Sequence, residues 1–253
     1  GLNWLVYSEH KAGNVDEWLR SHRYEGTTLV ENHTITGRLG WKGWFAPSVA
    51  DLDGDGDLEL WVTSYHGDYP CAPHHIMRYV WNPDTESYDG VEIKSGVDCY
   101  DDPKRPVSGD YMGDGTESVL WQSEPSALDV VQYTPGSGTY DHTSTEIFAA
   151  TGNIMAYDAG EFNGLTGTDI AVSVWDAVSL TSSVYLLDGI TFDPTLVVSA
   201  VEEQLRTIKM GDLNGDGLAE IYAGGDDGSI YAYDPTLGWR QLDAHSGLRW
   251  RDG

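Results

Sequence analysis

The sequence predicts an all-β fold: a β-propeller of five blades of about 50 residues, its ring closed by pairing of the N- and C-terminal strands. Three observations carry this. An acidic segment recurs at a spacing near fifty residues. The text between its copies is rich in Val, Thr, Tyr and Trp and alternates in period two, as half-buried strands do. Turn residues (Asp-Gly, Asn-Pro-Asp, Asp-Pro) separate those runs, and no sustained helical periodicity interrupts them.

The recurring segment is clearest at SVADLDGDGDLELWV, from Ser48, and KMGDLNGDGLAEIYA, from Lys209. Weaker copies are VSGDYMGDGTESVLW from Val107 and DAGEFNGLTGTDIAV from Asp158. In each an acid (Asp51, Asp110, Glu161, Asp212) is followed three residues later by glycine, and an apolar strand opens eight or nine residues after the acid. The acids lie 59, 51 and 51 residues apart, the size of a four-stranded unit.

Taken along the chain, residues 1–41 hold strand-like LNWLVYSEH, EWLRSHRYEGTTLV and ENHTITGRL without an acidic start; only VDEWLR, Val15–Arg20, looks briefly helical. The first full unit continues as HIMRYVWNPDTESYDGVEI, two strands around an Asn-Pro-Asp turn. The third offers AVSVWDAVSLTSSVYLLDGITF, two strands joined by a polar connection, and the fourth IYAGGDDGSIYAYDPTLGWRQL, three strands and two turns. The closing SGLRWRDG reads as one strand of a blade completed by the N-terminus. The expected blades are 42–103, 104–151, 152–203, 204–247, and 248–253 with 1–41, in one domain. The competing arrangement is a segment of a larger propeller. Closure would remove the exposed sheet edges that invite aggregation.

Within DLDGDGDLEL, Asp51, Asp53, Asp55 and Glu59 occupy positions 1, 3, 5 and 9, with the carbonyl of Asp57 at position 7. Odd spacing in a tight loop turns alternate side chains toward one centre, and Gly54 and Gly56 permit the backbone to bend there. Ca²⁺ takes six or more oxygens at about 2.3–2.6 Å, and without a cation such carboxylates repel one another. Asp212, Asn214, Asp216 and Glu220 fill the same positions in the last copy, with the carbonyl of Leu218 at position 7. An EF-hand would need Glu at position 12 between two helices, but Val62 and Ala223 stand there between β-like flanks. Two Ca²⁺ sites are therefore expected. The second unit keeps only Asp110 and Asp114, and the third has Glu161, Asn163 and Asp169 but Leu165 at position 5, so tight binding is not expected at either.

These D-x-[DN]-G-D-G-x-x-[DE]-[IL] loops resemble the FG-GAP/VCBS repeats of integrin-α-type β-propellers, over four units and most of the chain. The resemblance implies Ca²⁺ between the first two strands of a blade and a mostly extracellular setting. Its members include adhesion receptors, lectins and non-catalytic domains of larger enzymes, so fold alone does not fix function.

A net charge of −27 argues against nucleic acid, which demands clustered Lys and Arg, and against anionic lipid. Only five Lys are present, which keeps salt adaptation open as a source of scattered acids. No run of 18 apolar residues suggests a membrane-spanning helix. Cys71 and Cys99 are expected to form a disulfide, suited to an oxidising compartment, the alternative being two buried thiols. Asn32-His33-Thr34 is a glycosylation sequon. The N-terminus lacks a signal-peptide pattern, so the chain is read as mature, excised from something longer, or exported otherwise.

No G-x-S-x-G, H-E-x-x-H or P-loop occurs, and the His66, Cys71, His74 and His75 group matches no zinc spacing. The expectation is a non-catalytic extracellular or cell-surface module that binds a protein partner, as part of a larger chain or surface assembly. A glycan-binding lectin is the second reading and a polysaccharide lyase or hydrolase the third. Trp41, Trp44 and Trp239, in turn-rich text, are the candidate ligand platforms. Trp61, Trp121 and Trp175, just after the loops, are expected in the core.

Overall fold

The computed structural model describes residues 3–10, 17–25, 27–35, 46–65, 74–95, 105–136 and 142–243. Among them every regular element is a strand, and no helix is long and apolar enough to cross a membrane. The strands form antiparallel sheets in chain order. The first holds β1 (Asn3–His10), β2 (Glu17–Glu25) and β3 (Thr28–Ile35). The second holds β4 (Ala46–Ala50), β5 (Glu59–Tyr65), β6 (His74–Asn82) and β7 (Ser87–Ser95). The third holds β8 (Val107–Gly109), β9 (Ser118–Glu124), β10 (Ala127–Tyr133) and β11 (His142–Ala149). The fourth holds β12 (Asn153–Gly160), β13 (Asp169–Asp176), β14 (Thr181–Leu187) and β15 (Pro194–Val201). The fifth holds β16 (Leu205–Gly211), β17 (Glu220–Gly225), β18 (Ile230–Asp234) and β19 (Gly238–Asp243). All-β is the fold class, and each four-stranded sheet is the up-and-down unit that the fifty-residue spacing implies.

Of the helix-like VDEWLR, the described residues Glu17–Arg20 are extended instead, opening β2 and paired with β1 through Glu17↔His10 and Leu19↔Ser8. A six-residue window is too short to distinguish the two periods, and pairing on both sides of β2 decides in favour of strand. The break between β2 and β3 falls after Glu25, inside text that reads as one strand. The expected closing strand at 248–253 and the disulfide between Cys71 and Cys99 lie outside the described residues. So do Trp41 and Trp44.

Hairpin turns are opened by acids or amides that accept main-chain N–H groups. Asn82 accepts from Asp84 and Thr85, Asp176 from Val178, Asp188 from Ile190 and Thr191, and Asp234 from Thr236 and Leu237. Such side chains mimic the missing main-chain acceptor of a tight turn. These bonds hold the carboxyls of Asp176 and Asp188 below the usual 3.8, and the Thr236 hydroxyl, followed by the Thr236 and Leu237 N–H groups, does the same for Asp234. Part of the acid surplus is thus turn chemistry.

Packing divides the chain into two units, Gly1–Ser108 with Ser118–Glu124 and Asp129–Thr145, and Gly109–Glu117 with Pro125–Leu128 and Glu146–Gly253. In the first, Trp61 and Trp121 are fully buried with Ala50, Leu52, Ile76, Val119 and Val131. Beside Trp121 lies a polar knot around the buried Asp129: Trp121 Nε1 donates to Ser144 Oγ, and Asp129 accepts from Ser144, Ser123 and the partly exposed Lys94. In the second, Ala156, Ala171, Val184, Ile208, Ile221 and Ala223 form the core, with Phe162 and Tyr233 stacked beside it at 5.9 Å. Trp175 is half-buried at the end of β13.

Candidate functional site

The acidic loops join the first and second strands of four sheets: β4 to β5, β8 to β9, β12 to β13 and β16 to β17. An acid at position 1 has to end one strand while its side chain organises the turn that starts the next. Asp51 does this with both oxygens, accepting Gly54 N at 2.8 Å and Gly56 N at 2.9 Å. Asp212 repeats it with Gly215 N at 2.6 Å and Gly217 N at 2.8 Å. The glycines are required by the turn, since Gly54 and Gly56 have φ of 71° and 92°, and Gly215 and Gly217 of 80° and 94°. Position 5 then caps position 7: Asp55 accepts Asp57 N and Asp216 accepts Leu218 N. Position 9, at the start of the second strand, reaches back to position 2, Glu59 to Leu52 N and Glu220 to Leu213 N.

Two groups of acids come together among the described residues. Asp51, Asp53 and Asp55 place one oxygen each within 4.8 Å of one another, and so do Asp212, Asp216 and Glu220. Two ligands each about 2.4 Å from a shared ion lie at most about 4.8 Å apart, so both groups fit a hard divalent cation in spacing and donor type. Asp57 and Leu218 stand at position 7, where their N–H groups are engaged and their carbonyls are the ligand candidates.

Position 9 is not equivalent in the two loops. Glu59 is buried, and its Oε1 accepts Arg78 Nε at 3.2 Å and a second bond from Arg78 Nη2. The same Nη2 lies 3.3 Å from Asp53 Oδ2. Burial pushes the Glu59 carboxyl up, against the pull of Arg78 and of Leu52 N–H. In the last loop Asn214 bridges instead, its Nδ2 donating to Asp216 at 3.0 Å and to Glu220, while its Oδ1 accepts Asp216 N. Tyr222 Oη adds a bond to Glu220 at 3.3 Å.

The two degenerate loops keep the shape. Asp110 accepts Asp114 N and Gly115 N, and Asp114 accepts Thr116 N. In the third loop Glu161 accepts Gly164 N, and the buried Asp169 accepts Phe162 N, Gly189 N and Asn163 Nδ2, all at 3.0–3.1 Å. Its carboxyl is nonetheless raised above the ordinary 3.8, burial outweighing those donors. The second, third and last loops are also tied in series, Thr168 N donating to Asp110 O at 2.8 Å and Ala219 N to Glu161 O at 2.6 Å. Leu165 and Ile190 stand exposed on this acidic rim, at 62% and 46%.

Arg78 escapes sequence reading because it sits on β6, far from the motif in sequence. The available signal is a lone cation in the otherwise apolar and aromatic run IMRYVW. Trp239 lies within β19 rather than at a loop tip, half-buried and stacked on Tyr231 at 5.5 Å and 14°. Asn32 lies in β3.

No protein-family model matches the chain, and no curated protein matches it by sequence. Among solved structures it is similar to the Dos1 propeller, with a TM-score of 0.50 and 10% identity over 90% of this chain. The chain spans 55% of that chain's length. A chain of the nidogen/laminin complex gives a TM-score of 0.48 at 9% identity, over 96% of this chain and 92% of that one. Sqt1 from Chaetomium thermophilum gives 0.46 at 13%, over 96% and 68%. Repeated four-stranded antiparallel sheets, loops in the same place in each, and the likeness to the Dos1 propeller together make the fold that of a β-propeller.

Proposed function

We propose that this chain is a calcium-stabilised, non-catalytic recognition module of the FG-GAP/VCBS type, working outside the cell or at its surface. Its occupant is a protein partner, bound as part of a larger chain or assembly. Asp51, Asp53 and Asp55, with Glu59 and the Asp57 carbonyl, hold one Ca²⁺; Asp212, Asp216 and Glu220, with Asn214 and the Leu218 carbonyl, hold the second. The gathering of three carboxylate oxygens within 4.8 Å in each intact loop carries the metal reading. The ion supplies charge neutralisation and rigidity, since binding to the folded form alone adds to its stability.

The recognition reading is supported by the rim of the second unit. Three loops linked by main-chain hydrogen bonds offer Leu165 and Ile190 beside the exposed carboxylates of Asp114 and Glu161, with the Asp212 loop, held rigid by its ion, next in series. An apolar anchor flanked by negative charge suits a partner with apolar and basic side chains. The test is binding to panels of extracellular proteins and to a glycan array, with and without chelator. A protein ligand lost on chelation, and lost in Leu165→Asp with an unchanged melt, is the expected result. Binding confined to glycans would replace this reading with a lectin.

A further inference from the structure

The intact loops solve one problem in different ways. The position 9 carboxylate is buried against position 3 and needs a donor. Asn214 is that donor in the last loop, and Asn163 plays the same part toward Asp169 in the third. In the first loop position 3 is Asp53, which has no hydrogen to give when ionised. Arg78 reaches across from β6 and bonds Asp53 and Glu59 together. Strand register places Arg78 opposite Trp61, two residues after Glu59. The corresponding residue opposite Tyr222, two after Glu220, is Ala232; Arg240 of β19 stands one strand further on, near Tyr222, and the bonds to Glu220 among the described residues come from Leu213 N, Asn214 Nδ2 and Tyr222 Oη.

We propose that Arg78 is a built-in counter-ion that competes with Ca²⁺ for the first loop, making its affinity lower than that of the last loop. The inference rests on the calcium reading and goes beyond it by ranking the two sites. Its physical basis is charge and geometry. Glu59 spends Oε2 on Leu52 N and Oε1 on the guanidinium, while Asp53 spends Oδ1 on Asp55 N and Oδ2 on the guanidinium. A divalent ion bound to Asp51, Asp53 and Asp55 must displace a fixed positive charge or tolerate it at close range in a partly desolvated site. Asn214 poses no such barrier. It is neutral, and its amide carries an acceptor oxygen as well as the Nδ2 donor, so the same side chain can brace Glu220 and offer an oxygen without bringing a fixed positive charge to the site.

The test is a Ca²⁺ titration of the chelated full chain, followed by nuclear magnetic resonance and by calorimetry. Two unequal steps are expected: Asn214 Nδ2 and Leu218 N respond first, and Asp55 N and Arg78 Nε respond together at higher Ca²⁺. Asp216→Asn should remove the tighter step. Arg78→Gln should tighten the weaker step by about tenfold or more, equivalent to about 1.4 kcal/mol, and Arg78→Lys should leave it weak. An unchanged or weaker first-loop affinity in Arg78→Gln overturns the inference. So does filling of the first loop without any response at Arg78 Nε, a measurement on the native sequence that needs no folded variant. If neither loop responds to Ca²⁺, the calcium reading itself fails, and that outcome is distinct from two equal steps, which removes only the role of Arg78.

Discussion

Single carboxylates in this chain do different work according to what faces them. Asp55 and Asp216 sit at position 5 of the intact loops, each exposed and each capping the next turn through one oxygen. Replacing either by alanine removes a proposed ligand and a cap, so Asp216→Ala should abolish most of one increment of Ca²⁺-induced melting temperature and Asp55→Ala the other, read by scanning calorimetry. Glu59 and Asp169 have the opposite character, buried and harder to ionise than an ordinary acid. A carboxyl whose midpoint is raised in the folded form binds its proton more readily there than in the unfolded chain. Its contribution to stability therefore grows as pH falls through the window between the folded and the ordinary value. In chelated protein the Asp169 carboxyl carbon should titrate above 3.8, while that of the turn-forming Asp234 should titrate below it. A midpoint for Asp169 at or below 3.8 would mean that its three donors outweigh burial.

At the scale of elements, hairpins are set by turn residues and by close approaches across strands. Gly90 stands opposite Tyr79 in the β6–β7 pair, and a Cβ there would lie 2.5 Å from the buried ring of Tyr79. Gly90→Ala should destabilise the fold by about 1–3 kcal/mol, as overpacking does, measured by denaturant unfolding. A neutral result would show that the ring has room to turn aside. Strands and turns were open to sequence reading because period-two alternation and Asn-Pro-Asp or Asp-Gly punctuation are local signals. So were the core positions of Trp61 and Trp121, which follow each loop directly. The counter-ion Arg78 was hidden, because its partnership with Glu59 arises from strand pairing across a hairpin, which no local window contains. The place of Trp239 in the fold is hidden for the opposite reason. The Gly238 beside it marks a turn, but the ring itself belongs to β19 and packs on Tyr231.

The whole molecule carries a net charge of −27, which opposes compaction unless it is screened or neutralised. General screening and site binding predict different titrations. Sodium chloride should raise the melting temperature of chelated protein gradually, as ionic strength shortens the reach of repulsion. Calcium should act at far lower ionic strength, adding about 2.7 kcal/mol per site at a hundredfold excess over its dissociation constant. Equal shifts from the two salts at matched ionic strength would assign the acids to bulk charge alone. The main-chain bonds from Thr168 N to Asp110 O and from Ala219 N to Glu161 O bear on timing as well as strength. Amide protons at solvent-facing bends ordinarily trade with heavy water within moments, but these two are released only when neighbouring bends part. Deuterium should enter them late, and an ion seated at Asp212 should slow the clock at Ala219 before it slows the one at Thr168.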